Sequence, residues 1–508
     1  MPVKTTLRFC ALAILLACYP RTGTCEARLP GILSSHMVLQ RDKPIHIWGW
    51  SDPGEKVTVE FHGVSRDVTG DSLGNWGVFL PPESAGGPYQ LTVTGSNKIV
   101  LDDVLIGDVW FASGQSNMEF PLKGFPGAPM NHSAEEIAHA SQPQIRLLHI
   151  REKAADFPLF NSDASWTVCS PETAANFSAV AYFFGRELNA REHVPIGLID
   201  STWGGTVAEA WTSLRAISAD AGLMPVFATR AHMMETQGEI SAILAKERRE
   251  DLAAKQAGQP APHHPWHPDP ASWAPAALFN GMVAPATPYT IKGVIWYQGE
   301  SNSRLAWAPM YAKIFPALIA DWRTQWREGD FPFLFVQSSG FTSDATEDWA
   351  IIREAQRRSL SVANTAMAVI IDIGDPDNVH PADKQTVGAR LALAARALAY
   401  GEKVEYSGPL FRQATPESDG VRIWFDHTAH GLVAKGGALE GFEIAGDDCH
   451  FVPATARIDG ETVVVSNAQV AEPKYVRYGW ANAPVVNLYN SEGLPASPFT
   501  SEDEIPRP

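Results

Sequence analysis

Val104-Leu-Ile-Gly-Asp-Val-Trp-Phe-Ala112, followed at once by Ser113-Gly-Gln-Ser-Asn117, joins an apolar run of strand length to a cluster of small and polar residues. A short apolar run closed by turn formers reads as a buried strand, here with polar chemistry at its carboxyl end. The pattern recurs four times. Residues 195–199 lead into Asp200-Ser-Thr-Trp-Gly-Gly-Thr206, and Gly293–Tyr297 into Gln298-Gly-Glu-Ser-Asn302. Residues 331–336 lead into Gln337-Ser-Ser, and residues 367–371 into Asp372-Ile-Gly-Asp-Pro-Asp-Asn-Val-His380. Segments with 3.6-residue apolar spacing lie between several of these runs, at 179–191, 311–325 and 381–400. Strands alternating with helices imply an α/β core with a parallel sheet of about five strands and helices on both faces. Ligands bind such sheets at the carboxyl ends of the strands, where all five polar clusters fall.

Outward from this core the texture changes. Residues 28–100 carry short alternating stretches, Ile45-His-Ile-Trp-Gly-Trp50, Lys56-Val-Thr-Val-Glu-Phe61 and Tyr89-Gln-Leu-Thr-Val93, the pattern of a small antiparallel sandwich. Residues 406–508 read as a second β-module, with Val421-Arg-Ile-Trp-Phe425, Thr462-Val-Val-Val-Ser466 and Tyr475-Val-Arg-Tyr-Gly-Trp480. The core is thereby divided into 101–213 and 276–405 by an insertion, 214–275, helical at first and then Pro-rich. His263, His264 and His267 in that Pro-rich loop lack a carboxylate or Cys at metal-ligand spacing, which favours loop packing over a metal site.

The first 27 residues read as a signal peptide, with Lys4 and Arg8 ahead of an apolar run ending at Cys18. Export to the periplasm or the outside follows, with cleavage before Glu26 or, alternatively, lipidation of Cys18 in a lipoprotein box, Leu15-Leu-Ala-Cys18. No stretch has the length of a membrane span. Cys169 and Cys449 remain beyond this segment, and no spacing pattern supports a disulfide between them. The formal charge of −17 argues against nucleic acid or anionic membrane as partner, since both need clustered Lys and Arg.

Three side chains carry the candidate chemistry. Ser116 stands in a tight turn after the first core strand; alone it would read more readily as a helix cap. His380 precedes Pro381, at the expected start of a helix, on the ligand side of the sheet. Asp377, on the same loop, is the candidate to accept a hydrogen bond from the ring, which fixes the tautomer and leaves the other nitrogen to take the serine proton. Asp375 and Asp372 are its alternatives. For the oxyanion, Gly205 offers a backbone N–H and Gln298 a side-chain amide, with Asn302 as second choice. Gln115, Trp203, Glu300 and Asn302 are candidate substrate contacts, Glu300 equally a loop buttress. Neither a cofactor nor a metal is needed, because base and oxyanion donors are already present.

Gly-Gln-Ser-Asn, Trp-Gly-Gly-Thr, Trp-Tyr-Gln-Gly-Glu-Ser-Asn and Asp-x-x-His, in that order, resemble the sialate O-acetylesterase family within the SGNH hydrolases. The resemblance implies a flavodoxin-like sheet and a serine esterase that removes acetyl groups from sugars. It implies Ser116 as nucleophile, His380 as base and acid, Asp377 as its partner, and the Ser116 and Gly205 amides in the oxyanion hole. Where the superfamily carries Gly-x-Asn-Asp, this chain has Gly299-Glu-Ser-Asn302, so the side-chain donor departs from the pattern. Acetylated plant cell-wall polysaccharides, xylan or xyloglucan, are the alternative substrate. A sialate site calls for an Arg or Lys near Ser116, with Arg304 and Lys123 as candidates. A non-catalytic carbohydrate-binding protein is the rival of a different class, opposed by the intact Ser116, Asp377 and His380.

Overall fold

The computed structural model describes residues 26–506 except 263, 265, 266 and 419. The signal-peptide reading up to residue 25, and with it the Cys18 anchor, lies outside the described residues. The core strands are β1 (Lys98–Gly114), β2 (Gln142–His149), β3 (Trp166–Cys169), β4 (Ile196–Thr202), β5 (Gly293–Tyr297), β6 (Phe333–Gln337) and β7 (Thr365–Val369). They lie in the order β7-β6-β5-β1-β4-β2-β3 within a larger mixed sheet. All neighbours run parallel except β3, which pairs antiparallel with β2 at the edge.

Period-two alternation explains how both faces are filled. Trp110 and Ala112 of β1, Ile295 and Tyr297 of β5, and Leu334 and Val336 of β6 point into one apolar layer. That layer is completed by α2 (Ala179–Glu192) and α6 (Lys384–Leu398), with Phe183, Phe184, Val387 and Leu391 among its members. Val109, Phe111, Val294, Trp296, Phe333 and Phe335 enter the opposite layer, against Ile314, Phe315 and Trp322 of α4 (Tyr311–Trp326) and Ile351 and Ile352 of α5 (Trp349–Arg358). Strands buried on both faces read as continuous apolar runs, which is why the sequence disclosed them. Strand β2 escaped because it opens Gln142-Pro-Gln and carries the buried Arg146, paired with Asp103 at 2.9 Å.

The two β-modules join the core differently. The sequence boundary at 100/101 falls inside the 17-residue β1, whose first half pairs with Gly86–Thr94 and whose second half is the centre of the core sheet. Val57, Val59, Phe61 and Leu91 accordingly share one apolar core with the α/β unit. The C-terminal module has its own, built from Val421, Ile423, Phe442, Val463, Tyr478 and Phe499.

The insertion is mostly α3 (Pro225–Gln256), a 32-residue helix. His264 and His267 of the Pro-rich loop bond Asp251 and Glu247 on that helix at 2.9 and 3.0 Å, stapling loop to helix. Cys169 is buried and Cys449 exposed, and both are free thiols. The helix expected from Pro381 begins instead at Lys384. Asp383 caps it, accepting from the Thr386 N–H at 2.9 Å, so His380 stands on a loop ahead of the cap.

Candidate active site

Strands β1 and β5 converge at their carboxyl ends. Gly114 has φ +139°, and a Cβ there would lie 2.1 Å from the Tyr297 carbonyl oxygen, so only glycine permits the approach. The Gln115 N–H then donates to that same oxygen at 3.0 Å, and Ser116 opens a single helical turn, α1 (Ser116–Glu119), at the sheet edge. From the far end of the sheet, the loop after β7 returns His380. Its Nε2 lies 2.9 Å from Ser116 Oγ, across 264 residues of chain.

Buried groups hold this pair. Asn117, the residue after the serine, donates through Nδ2 to the Val379 carbonyl (3.0 Å) and to Glu300 Oε1 (2.6 Å). Its Oδ1 accepts from Lys384 Nζ at 2.5 Å. Asn117 thus ties the Ser116 turn to the residue before the histidine. The backbone of His380 is fixed again by its N–H donating to Asn378 Oδ1 at 2.9 Å, and its ring packs on Phe120 and Phe125. Burial, with a contribution from the nearby Lys384 ammonium, pushes the imidazole down to about 4. The ring is therefore neutral and able to accept a proton at ordinary pH. Burial also pushes Lys384 down to about 7 and raises the Glu300 carboxyl.

Asp377 is not brought to the ring. Asp375 Oδ1 accepts from the Asp377 N–H at 3.0 Å and the Asp375 carbonyl accepts from the Asn378 N–H, so the loop closes as a tight turn. The Asp377 side chain is left exposed on its outside, and no hydrogen bond or ion pair joins it to His380 among the described residues. Asp375 is likewise exposed, and Asp372 is engaged with Arg390 at 2.6 Å. The expected side-chain oxyanion donors are also committed elsewhere. Gln298 Nε2 donates to the Thr206 carbonyl (3.1 Å) and to Asn302 Oδ1 (2.7 Å), while Asn302 Nδ2 donates to Glu209 (2.9 Å). Both amides build the floor behind the site, because buried polar groups must first satisfy one another. Backbone donors remain. The Ser116 and Gly205 amides make no turn or loop hydrogen bond among the described residues. Gly205 has φ +69°, and Gly204 packs against Ser116, where a Cβ would lie 3.3 Å from the serine Cβ.

A pocket of about 610 Å³ opens over the pair. Its lining includes Gln115, Trp203, Gly205 and Glu300 from the sequence reading, together with Glu119, Glu152, Trp273, Phe341, Glu347 and Trp349, which that reading missed. Gln115 also has a structural task, its Oε1 accepting from the Ser301 N–H at 3.1 Å. Glu119 was within reach of the sequence, three residues after Ser116 on the same helical turn. Burial, and then the charges of Glu152 and Asp200, push its carboxyl up to about 7. Glu152 and Trp349 arrive from distant segments with no local signal. Arg304 lines the pocket and Lys123 does not.

Comparison with known proteins agrees with this geometry. A family described as "Carbohydrate esterase, sialic acid-specific acetylesterase" matches residues 266–397, the half of the core that holds His380. The sialate O-acetylesterase of Rattus norvegicus is 31% identical, over 96% of this chain and 97% of its own length. That of Homo sapiens is 33% identical, over 75% of this chain and 73% of its own. A crystal structure of a carbohydrate acetylesterase from Xanthomonas citri superposes with a TM-score of 0.81 at 38% identity, covering 94% of this chain and all of the other. With relatives aligned along nearly its whole length, this chain belongs to the sialate O-acetylesterase family and is a carbohydrate esterase, a hydrolase of acetyl esters.

Proposed function

We propose that the protein removes acetyl groups from sugars through an acetyl-enzyme formed on Ser116, with His380 as the only side-chain base. The observation that carries this reading is the 2.9 Å contact between Ser116 Oγ and His380 Nε2 at the floor of the pocket. Ser116 Oγ attacks the acetyl carbonyl carbon while Nε2 takes the hydroxyl proton. The amides of Ser116 and Gly205 receive the oxyanion. Collapse breaks the bond to the sugar oxygen, which leaves with the proton from His380. Water, deprotonated by the same nitrogen, then attacks the acetyl-serine, releases acetate and returns the proton to Ser116. The reading does without an aspartate, as no aspartate is hydrogen-bonded to the His380 ring among the described residues. Burial between Phe120 and Phe125 and the backbone ties at Asn378 and Val379 orient the ring instead.

The lining bears on the substrate. Glu119, Glu152, Glu300 and Glu347 face the cavity with Arg304 as the one Lys or Arg among the lining residues. Such a lining gives the carboxylate of a sialic acid a single cationic partner, Arg304. This favours the second reading, an uncharged acetylated glycan such as acetylxylan or acetylated xyloglucan, with the partly exposed Trp203 offering an apolar face to a sugar ring. Residues 1–27 support an exported enzyme, processed before Glu26 or anchored through Cys18. The test is acetate release from a panel of acetylated sialosides and acetylated xylan and xyloglucan oligosaccharides. Faster turnover of the neutral oligosaccharides is expected, and preference for the sialosides would reject the second reading. Ser116→Ala should abolish release from all of them, and retained release would reject the nucleophile.

A further inference from the structure

Three of the pocket's lining side chains, Phe341, Glu347 and Trp349, come from one segment that leads from β6 to the first residue of α5. The Phe341 and Trp349 rings meet at 5.5 Å and 56°. Trp349 Nε1 donates to Glu347 Oε2 at 3.0 Å, and the other carboxylate oxygen has no hydrogen bond among the described residues. Trp349 is buried and backs the partly exposed Phe341 ring. An apolar ring beside an open carboxylate oxygen matches a sugar, which presents C–H faces and hydroxyl donors together.

The segment itself has almost no regular structure. Asn482, a half-buried residue of the C-terminal β-module, holds it. Its Oδ1 accepts from the Trp349 N–H at 2.9 Å, and its Nδ2 donates to Ser343 Oγ at 2.7 Å and to the Glu347 carbonyl at 3.1 Å. Its carbonyl accepts from the Phe341 N–H at 3.1 Å and from the buried Arg353 at 3.3 Å. Arg353 also donates to the carbonyls of Ser339 and Ala481, clamping the junction from beneath. The side-chain amide therefore reaches Ser343, Glu347 and Trp349 with its acceptor and both donor hydrogens, and the backbone carbonyl of the same residue holds the Phe341 end. Among the described residues, no other side chain outside the segment makes as many hydrogen bonds to it.

We propose that residues 341–349 form the wall that grips the acetylated sugar, and that Asn482 is the positioning residue through which the C-terminal module sets this wall. The inference rests on reading the pocket as an acetylated-sugar site. It makes the C-terminal module part of substrate recognition. Because that module has its own apolar core, loosening the wall leaves both the module and the Ser116–His380 pair folded.

The experiment compares Asn482→Ala with wild type, in the full chain, on acetylated xylo-oligosaccharides and on p-nitrophenyl acetate, which is too small to need the wall. KM for the oligosaccharide should rise about tenfold, the size expected when a binding surface loses its fixed geometry, while kcat on p-nitrophenyl acetate changes by less than about twofold. Asn487→Ala is the control. It cuts hydrogen bonds to Lys435, Ala438 and Glu440 within the module and should lower thermal stability without raising KM. Phe341→Ala, which touches the wall directly, should raise the same KM and covers the case in which Asn482→Ala does not fold. An unchanged oligosaccharide KM in either wall variant, or equal losses on both esters, would overturn the proposal. Ser116→Ala separates this from the chemistry: if it remains active, the reading of the site fails first.

Discussion

The two sides of the pocket are built in opposite ways. On the catalytic side, Ser116 and His380 rest on Asn117, Glu300 and Lys384, all buried within the α/β core and bonded to one another. On the far side, Phe341 and Glu347 are only partly buried and their segment is held from outside, by a module with a separate core. The difference assigns tolerance. A buried polar network leaves an unsatisfied group when one member is removed, whereas an exposed segment relaxes into water. Chemistry is thus fixed by the part of the fold that cannot yield, and recognition by a part that can be altered without unfolding it.

Removing the pair itself should have the largest effect. Ser116→Ala and His380→Ala are each expected to cost at least about 1,000-fold in kcat/KM on every acetyl ester, whatever its leaving group. A loss confined to sugar esters would erase the distinction between the two sides. The next effect concerns pH. With its imidazole pushed down to about 4, His380 is neutral above that value, so kcat/KM should persist through pH 5 and fall only as the pH drops through about 4. Lys384→Met removes a cation that depresses the ring, and the acid limb should move to higher pH. Burial pushes the Glu119 carboxyl of the same pocket up to about 7, and Glu119→Gln should leave the limb near 4 in place, which assigns that limb to the ring in a pH–rate profile. A wild-type acid limb near 6.5 would mean that the ring is not buried as described.

The smallest effect is the sharpest. An aspartate that orients a catalytic histidine costs roughly 10⁴ in kcat when converted to the amide. Asp377 lies exposed on the outer side of its turn, so Asp377→Asn should cost about twofold or less, as surface substitutions do. A thousandfold loss would show that the turn opens to deliver Asp377 to the ring, and would move this loop from the yielding to the fixed side of the comparison.

Much of this was legible residue by residue. Gly114-Gln-Ser116, Trp203-Gly-Gly205 and His380 lie where local rules place them, at the ends of apolar runs, and the fold brings all three to one pocket. The Gln298 and Asn302 amides donate away from the pocket for a physical reason. A sequence tells which side chains can donate a hydrogen bond, and only packing tells to whom; here Thr206 and Glu209 take those donors. Lys384 gave no sign, since a lysine at a helix start is ordinarily solvated, and it becomes part of the site only because α6 packs its first turn under Asn117.

The chain by itself determined the alternation of strand and helix, the rim on which polar clusters gather and the turns that carry Ser116 and His380, because these follow from local periodicity and from turns that only glycine can make. Tertiary structure alone decided which carboxylates face the cavity, which aspartate stays in solvent and that a C-terminal asparagine holds the pocket's outer wall. Those outcomes depend on contacts between segments more than 100 residues apart, such as Asn482 with Trp349, and the energy of such a contact exists only once both partners have been brought together.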